Sequence, residues 1–437
     1  MAKSTMLKVP KGKLAIDGGQ KAVTVPIPRS YFGLSEIGEE EKRNVLDVLD
    51  RQMLFRWQDA KRSYVARFER EFAKLLGVKY AVAVSSGTAA LVTALRALGI
   101  GPGDEVIVPA YTFIASASAV ILVGAVPVIA EIDDTLTIDP NDVERKITKH
   151  TKAIMPVHMR GIPCQMDEIM RIAKKHNLFV IEDCAQCNGG FYKGKRVGSI
   201  GDVGCFSFQV SKTITTGEGG MVVTNDAKVY IRAALAHDSG VTFWWKLSQE
   251  VPKELEGITP FAGDGYRMSE LAGAVGLAQL KKLDKIVSTL RRRKREILED
   301  ISGAPGIKPM RVPDEEGECA YSVNFLFDSA EVAQKFARAL SAEGVPVHTI
   351  YTEGIPDRHI YRHWDYVLNK VPVAGKFSPW EDPRYTGDVQ YSPDMCPQTM
   401  SILSRTVAIP LSQKMKRIHT RQISRAILKV AYALFGS

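Results

Sequence analysis

The sequence predicts an α/β fold with a mainly parallel sheet and a smaller α/β unit at its C-terminal end. From Val78 onward, short runs rich in β-branched residues alternate with longer amphipathic stretches, which is the pattern of a parallel sheet covered by helices. The chain has 437 residues, of which 45% are apolar and 24% charged. This length and composition are typical of a folded protein with roughly two or three domains.

The first half of the chain supplies the strands of the large sheet. Helical patterns such as GTAALVTALRAL and CQMDEIMRIAKKHN separate the first strands, and a Thr- and Gly-rich turn joins the last two. The predicted strands are residues 78–84, 104–109, 126–132, 152–157, 178–183, 203–210 and 220–225. The most apolar stretch, residues 112–132, contains Ser, Gly and Pro, so it predicts a buried helix and strand rather than a membrane span.

The second half predicts a long helix over residues 269–300 and then the smaller unit. That unit should contain strands at 320–327 and 345–350 and helices at 330–340 and 418–434. Residues 351–400 show little periodicity, and a loop of this length in a compact domain is often functional. We therefore expect an N-terminal arm at 1–30, a large domain at 31–285 and a small domain at 286–437.

Charge and cysteine content narrow the function classes. The net charge is +9, but the densest basic run, residues 291–295, lies in a helical pattern with acidic residues close behind, which indicates a solvated helix face. The N-terminus lacks the apolar core of a signal peptide, and six scattered cysteines do not form a disulfide scaffold. We expect a cytoplasmic protein without a nucleic-acid or membrane partner.

Three local features could together hold a cofactor. VSSGTAAL places Ser86, Gly87 and Thr88 where a strand meets a helix, and the free N–H groups of a helix N-terminus suit a phosphate, although such residues are also ordinary caps. LFVIED ends a buried strand with Glu182 and Asp183, which must face opposite ways.

Lys212 is the third feature, and it lies between two strands in a loop of small and hydroxyl residues. A surface position is the commoner outcome for any single lysine. Pyridoxal phosphate (PLP), however, requires an anion site, a carboxylate for its pyridine nitrogen and a lysine amine for its aldehyde, and the three features offer these groups in chain order.

The chain resembles the DegT/DnrJ/EryC1/StrS aminotransferases of amino-sugar and aminocyclitol pathways over nearly its whole length. The resemblance rests, in chain order, on FEREFAKLLGVKYAVAVSSGTAAL, GPGDEVIVPAYTFIAS, GAVPVIAEID, HMRGIPCQMDEI, VIEDCAQ, GDVGCFSFQVSKTITTGEGG and YRMSELAGAVGLAQL. It implies a PLP enzyme of fold type I, similar to aspartate aminotransferase, that forms a homodimer with its active sites at the subunit interface.

The resemblance also implies roles for individual residues. Lys212 would be the catalytic residue and would carry the cofactor as a Schiff base. Asp183 would bond the pyridine nitrogen and Gln186 the phenolic oxygen, while Phe113 would stack on the ring. The phosphate would be held by Gly87, Thr88, Ala89 and Ser207.

The chain departs from the family pattern at Gly265, where an asparagine commonly reaches the partner subunit's phosphate. Either Asp264 or a backbone N–H replaces it, or phosphate binding across the interface is weaker in this protein, so the contact stays unassigned. Cys184 and Cys187 form a CxxC without the context of a zinc or redox site, so we expect incidental buried cysteines. No metal is expected, and His158 is predicted to have a structural or substrate-neighbouring role.

The predicted reaction moves an amino group from glutamate or glutamine to a sugar-like or cyclitol ketone or aldehyde. Gln209 and the N-terminal LAIDGGQKAV resemble the cyclitol and aminobenzoate branch, whereas FRW at 55–57 and MSILSRTVAIPLS resemble aminotransferases that act on an octulosonate aldehyde. One alternative is a PLP-dependent ketosugar dehydratase, although that branch replaces the lysine with histidine. Another is a non-catalytic sensor of the same fold that binds PLP or a sugar.

Overall fold

The computed structural model describes residues 12–240, 258–375 and 377–436, so residues 1–11 of the expected N-terminal arm lie outside the described residues. The helices are α1 Glu39–Asp50, α2 Tyr64–Leu76, α3 Gly87–Leu98, α4 Ala115–Leu122, α5 Pro140–Arg145, α6 Met166–His176, α7 Ala227–His237, α8 Glu270–Leu280, α9 Leu283–Asp300, α10 Ala330–Ala342, α11 Asp365–Leu368, α12 Pro397–Arg405 and α13 Arg417–Phe435. The strands are β1 Tyr80–Val84, β2 Glu105–Pro109, β3 Val126–Ala130, β4 Thr151–Ile154, β5 Phe179–Asp183, β6 Phe191–Tyr192, β7 Lys195–Arg196, β8 Val203–Ser207, β9 Gly220–Thr224, β10 Ser322–Leu326, β11 His348–Thr349 and β12 Thr406–Pro410.

A seven-stranded sheet in the order β1-β9-β8-β5-β4-β2-β3 forms the centre of the large unit. Only β9 runs antiparallel to its neighbours, and Ser207 of β8 lies opposite Gly220 of β9. Every residue of β2, β3, β8 and β9 is buried, which explains the continuous apolar runs in the sequence. All seven predicted strands are present, and their carboxyl ends, apart from that of β9, meet at one edge.

Helix α3 follows β1 in the chain, and capping residues define both of its ends. Ser86 is its N-cap and accepts a hydrogen bond from the Ala89 N–H at 3.0 Å. Gly99 closes the helix in the left-handed conformation (φ 80°), which glycine adopts without a steric penalty. The N-terminus of α3 is thereby fixed at the carboxyl edge of the sheet.

The predicted long helix at 269–300 is two helices, α8 and α9, which separate at Lys281 and Lys282. No Gly or Pro marks this break. Instead, Lys282 Nζ donates to the Glu36 carbonyl at 2.6 Å and pairs with Glu41, both of which belong to the N-terminal part of the chain. The break is associated with tertiary contacts, which helical periodicity does not report.

The smaller unit contains an antiparallel sheet in the order β10-β12-β11. The prediction placed strands near β10 and β11 but missed β12, the strand that joins them, and the preceding helix α12. The short run Thr406–Pro410 follows α12 without a turn residue, so the local pattern did not separate it.

The segment 351–400 reaches both edges of the large sheet: residues 358–361 lie at the carboxyl edge, whereas Tyr385 and Tyr391 bond Glu105 and Pro127 near the amino ends of β2 and β3. Its residues Ile360, Tyr361 and Trp364 are completely buried in the same apolar core as β1 and β2. Residues 358–361 also pair with residues 110–114 through backbone hydrogen bonds of 2.9–3.0 Å. The domain limits proposed from the sequence stay a prediction. Among the helices of the described ranges, none is long and apolar enough to cross a membrane.

Candidate active site

A cavity of about 460 Å³ opens at the carboxyl edge of the large sheet, where ligands of open α/β folds bind. The structure brings seven of the eight predicted cofactor residues to its wall. These are Gly87, Thr88, Phe113, Asp183, Gln186, Ser207 and Lys212. The remaining one, Ala89, does not line the cavity, and its N–H is already bonded to Ser86.

Gly87 and Ser207 lie against each other on the cavity wall. The N–H groups of Gly87 and Thr88 have no hydrogen-bond partner within the described residues, and they lie at the positive end of the α3 dipole. A Cβ atom on Gly87 would lie 2.7 Å from Ser207 Cβ and 3.1 Å from its hydroxyl oxygen. The cradle therefore requires glycine at this position, and its free donors fit a phosphate.

Asp183 ends β5 and points into the cavity, while its neighbour Glu182 points to the opposite side of the sheet. Asp183 accepts hydrogen bonds from the Ala185 N–H at 3.0 Å and from the Ser116 hydroxyl at 2.9 Å. Burial raises the pKa of Asp183, although these bonds and the charge of Lys212 act in the other direction. Asp183 forms no ion pair with another described residue, so its carboxyl group could bond the protonated ring nitrogen of a ligand.

Glu182 is completely buried and has a structural role. Its two oxygens accept hydrogen bonds of 2.7 Å from the N–H groups of Gly198, Ile200 and Gly201 and one of 3.0 Å from His158. The carboxylate therefore holds the 198–201 turn against the sheet.

His158 is also completely buried and does not line the cavity. Its Nδ1 accepts the Cys164 N–H at 3.0 Å, so Nε2 carries the proton that bonds Glu182. His158, Glu182 and Cys184 offer ligand atoms within 4.8 Å of one another, but the histidine and glutamate atoms are already used in these hydrogen bonds. This arrangement fits the structural role predicted for His158.

Lys212 enters the cavity from the loop between β8 and β9. Its backbone is held by a hydrogen bond from the Lys212 N–H to the Gln209 carbonyl at 2.9 Å. Burial lowers the pKa of its amine, although the charges of Asp183 and Glu218 oppose this effect. Burial thus favours the neutral amine, which is the form that attacks a carbonyl carbon.

Phe113 and His359 form the mouth of the cavity. Phe113 is 41% exposed, and its ring centroid is 5.3 Å from that of His359. Sequence reasoning missed His359, as well as Ser116, because neither lies in a motif with a recognisable spacing. The only available signal for His359 was the unusual length of the 351–400 segment.

One of the expected substitutes for asparagine near Gly265, the Asp264 side chain, is already paired with another residue. Asp264 forms an ion pair with Arg96, and Arg267 forms one with Asp238. Gly265 itself pairs with Asp238 through its backbone. Asp264 is therefore engaged within its own chain, which leaves a backbone N–H or a weaker phosphate contact as the remaining predicted alternatives.

The FRW motif and the CxxC lie outside the cavity. Arg56 is buried and forms an ion pair with Glu69 at 2.6 Å, and Trp57 Nε1 donates to Asp238 at 2.6 Å. All six cysteines are buried and free. Cys187 Sγ is 3.7 Å from Cys319 Sγ, so this thiol contacts a cysteine that lies outside the CxxC motif.

These groups fit PLP. The unpaired donors at Gly87 and Thr88 match its phosphate, Asp183 matches its ring nitrogen and the buried Lys212 amine matches its aldehyde. The cavity volume of about 460 Å³ lies within the range of typical ligand and cofactor pockets.

Relatives of known sequence carry the names of sugar and cyclitol aminotransferases. The chain is 46% identical to GDP-perosamine synthase of Escherichia coli O157:H7 over 59% of this chain and 66% of that protein. It is 38% identical to L-glutamine:2-deoxy-scyllo-inosose aminotransferase of Streptoalloteichus tenebrarius over 68% of this chain and 69% of that protein. These matches thus span about two thirds of each relative's length.

Solved structures with the same fold include 3-amino-5-hydroxybenzoic acid synthase, with 28% identity and a TM-score of 0.73 over 90% of this chain and 97% of that chain. The DesV protein of S. venezuelae, crystallised with a ketimine intermediate, has 30% identity and a TM-score of 0.73 over 93% and 99%. The predicted fold class, that of the PLP-dependent aminotransferases, is confirmed. The model of the DegT/DnrJ/EryC1/StrS aminotransferase family matches residues 35–381, and the chain belongs to this family.

Proposed function

We propose that this protein is a PLP-dependent aminotransferase that moves an amino group from glutamate or glutamine to a ketone or aldehyde of a sugar-like or cyclitol substrate. The observation that carries this proposal is the placement of Lys212, Asp183 and the Gly87 cradle on the wall of one cavity. Membership of the family and the names of the relatives support the same reaction.

Different residues of the cavity wall would bind different parts of PLP. The N–H groups of Gly87 and Thr88, with the Ser207 hydroxyl, would hold the phosphate, while Asp183 would keep the ring nitrogen protonated. Ser116 supports this role because its hydroxyl fixes one carboxylate oxygen of Asp183 at 2.9 Å. Gln186 and Phe113 would fix the orientation of the ring. When bound, PLP supplies an aldehyde that carries the amino group and a ring that withdraws electrons.

Lys212 would first hold the cofactor and then move protons. Desolvation lowers the pKa of its buried amine, and a hydrogen bond from the Lys212 N–H to the Gln209 carbonyl fixes its backbone. Once displaced by the incoming amine, Lys212 Nζ would take a proton from the substrate carbon and return it to the cofactor side. A single amine would serve for both transfers, because Lys212 would stay on the cavity wall after its displacement.

Lys212 also favours transamination over the dehydratase alternative, in which histidine replaces the lysine. A dehydratase that acts on GDP-4-keto-6-deoxy-D-mannose shares the fold with a TM-score of 0.73 at 24% identity, which is a likeness of fold alone. The complete set of Lys212, Asp183 and Gln186 on the cavity wall argues against a non-catalytic sensor.

We further propose that the protein acts as a cytoplasmic homodimer with active sites at the subunit interface. Leu54 and Phe55 are 51% and 46% exposed, and the Phe55 ring centroid is 5.7 Å from the Arg267 guanidinium. Such an apolar surface is suited to a partner subunit. Light scattering should give twice the monomer mass, and Phe55→Glu should shift the protein towards the monomer.

The test of the reaction is visible absorption of the purified protein with PLP, before and after addition of glutamate or glutamine. The wild type should show an absorption band at about 410–430 nm, and addition of the donor should shift this band to about 330 nm. Lys212→Ala should abolish both properties, whereas Lys281→Ala, an exposed lysine of the surface that pairs with Glu40, should retain them. A wild-type protein without the band would refute the cofactor assignment, and a band that ignores both donors would refute transamination.

A further inference from the structure

His359 lies at the mouth of the cavity and is not needed for any of the proposed cofactor contacts. Its ring meets the exposed edge of Phe113, and its carbonyl accepts the Thr112 N–H at 2.9 Å. The next backbone bond runs from the Ile114 N–H to the Arg358 carbonyl at 3.0 Å. The position of His359 is therefore set by the same stretch of backbone that carries Phe113.

Asp357 fixes the direction of the His359 ring. Its Oδ1 lies 2.8 Å from His359 Nδ1 and also accepts the His359 N–H at 2.9 Å. Burial raises the pKa of Asp357, but the two hydrogen bonds from His359, with the charges of His359 and His363, lower it overall, which favours the carboxylate. The backbone of Asp357 is fixed in turn, because its N–H donates a hydrogen bond to His363 Nδ1 at 2.9 Å.

A carboxylate that accepts from Nδ1 leaves the other ring nitrogen to face a ligand. Within the described part of the chain, His359 Nε2 has no hydrogen-bond partner. In the neutral ring this nitrogen is an acceptor, because the proton is on Nδ1. Its natural partner is therefore a hydroxyl or another donor, whereas a carboxylate offers only acceptors.

We propose that His359 Nε2 accepts a hydrogen bond from a ring hydroxyl of the carbonyl acceptor, and that Asp357 is the positioning residue that orients it. This inference rests on the proposed function, which supplies a hydroxyl-rich acceptor. His359 thereby acts in the second half-reaction, in which the acceptor is aminated, and not in the first, in which glutamate or glutamine reacts. The two half-reactions can be measured separately, because each changes the visible absorption.

Four variants separate hydrogen bonding from packing. His359→Ala removes both nitrogens, and His359→Asn keeps a donor near the position of Nδ1 but lacks Nε2. His359→Gln places an amide near the position of Nε2. Asp357→Ala leaves the ring without its carboxylate. The matched control is His150→Ala, since His150 also bonds the 351–400 segment, at Thr386 (3.0 Å), but does not line the cavity.

The second half-reaction is followed with 2-deoxy-scyllo-inosose and with GDP-4-keto-6-deoxymannose as the ketone probes. His359→Ala and His359→Asn should raise the ketone concentration for half-maximal rate about tenfold, which corresponds to one lost hydrogen bond to a desolvated group. His359→Gln should recover part of this loss, and Asp357→Ala should show a smaller loss. The donor half-reaction of all four variants should stay within about twofold of the wild type.

Three results would overturn the inference while the proposed function stands. They are an unchanged second half-reaction in His359→Asn, an equal slowing of the donor half-reaction, and an equal loss in His150→Ala, which would indicate general disturbance of the segment. If the wild type completes the donor step but aminates neither ketone, the acceptor class is wrong and the inference falls with it. A wild type that fails the donor step refutes the proposed function itself.

Discussion

Replacing Gly87 with alanine tests whether the cavity wall at Gly87 and Ser207 is a phosphate cradle. The new Cβ would lie 2.7 Å from Ser207 Cβ, whereas unstrained carbon atoms stay about 3.5 Å apart. The first turn of α3 and the end of β8 must therefore separate by roughly 0.8 Å to relieve the contact. A displacement of this size moves the N–H groups of Gly87 and Thr88 out of hydrogen-bond range of a phosphate held by Ser207.

The expected loss concerns cofactor binding more than folding. A hydrogen bond to a charged group contributes about 1.5–3 kcal/mol, so losing one weakens PLP binding by about 10- to 150-fold. Overpacking costs about 1–3 kcal/mol of unfolding free energy, but alanine recovers up to about 1 kcal/mol because it favours the helix over glycine. The apoprotein should thus lose at most about 3 kcal/mol, and less where the helix preference of alanine offsets part of the cost.

The assay is a titration of the apoprotein with PLP, followed by absorbance, beside urea unfolding of the same apoprotein. Gly101→Ala is the matched control, because its new Cβ would meet only the Val123 carbonyl oxygen at an ordinary 3.5 Å. In the background of Ser207→Gly, which removes the obstructing Cβ, Gly87→Ala should have little further effect. A PLP dissociation constant within threefold of the wild type would refute the cradle, and an equal loss in both backgrounds would refute the steric cause.

Three other outcomes follow from the buried charges. Because burial lowers the pKa of Lys212 below its usual 10.5, the unfolded chain holds this proton over a pH range in which the folded chain has lost it. The apoprotein of Lys212→Met should therefore be more stable than the wild type at pH 7, and urea unfolding should show the difference shrinking as the pH approaches 10.5; a constant difference contradicts this. Glu182→Ala should cost about 3–5 kcal/mol of unfolding free energy, since the 198–201 turn loses its acceptor, and Glu182→Gln should cost less. Arg56→Met should cost about 3–5 kcal/mol because it removes one partner of a buried ion pair, and a thermal midpoint equal to that of the wild type would contradict the burial of this pair.

The parts of the site that lie in continuous stretches of sequence were predictable. Alternation along a strand required Glu182 and Asp183 to diverge, and the structure places one in the cavity and the other against the 198–201 turn. The α3 N-terminus followed from a cap signal after an apolar strand. In both cases the deciding forces act between neighbours in the chain, so a local pattern carries the information.

The missed parts depend on contacts between distant segments. Strand β12 is defined by its pairing with β10 and β11, and its own five residues do not distinguish it from a helix end. His359 reaches the cavity because residues 358–361 pair with residues 110–114, almost 250 positions earlier in the chain. No spacing rule reports such a pairing, since it arises from backbone groups that every residue possesses.

This backbone pairing has a consequence for how acceptor specificity can evolve. The segment is attached to the sheet edge by main-chain hydrogen bonds and by the buried Ile360 and Trp364, while the side chain of His359 faces the cavity. Substitutions at the exposed positions can accumulate without loosening the attachment. The cofactor end, built from β5, α3 and the Lys212 loop, is encoded elsewhere in the gene. Selection can therefore exchange the ligand at one end of the cavity while the chemistry at the other end is inherited unchanged.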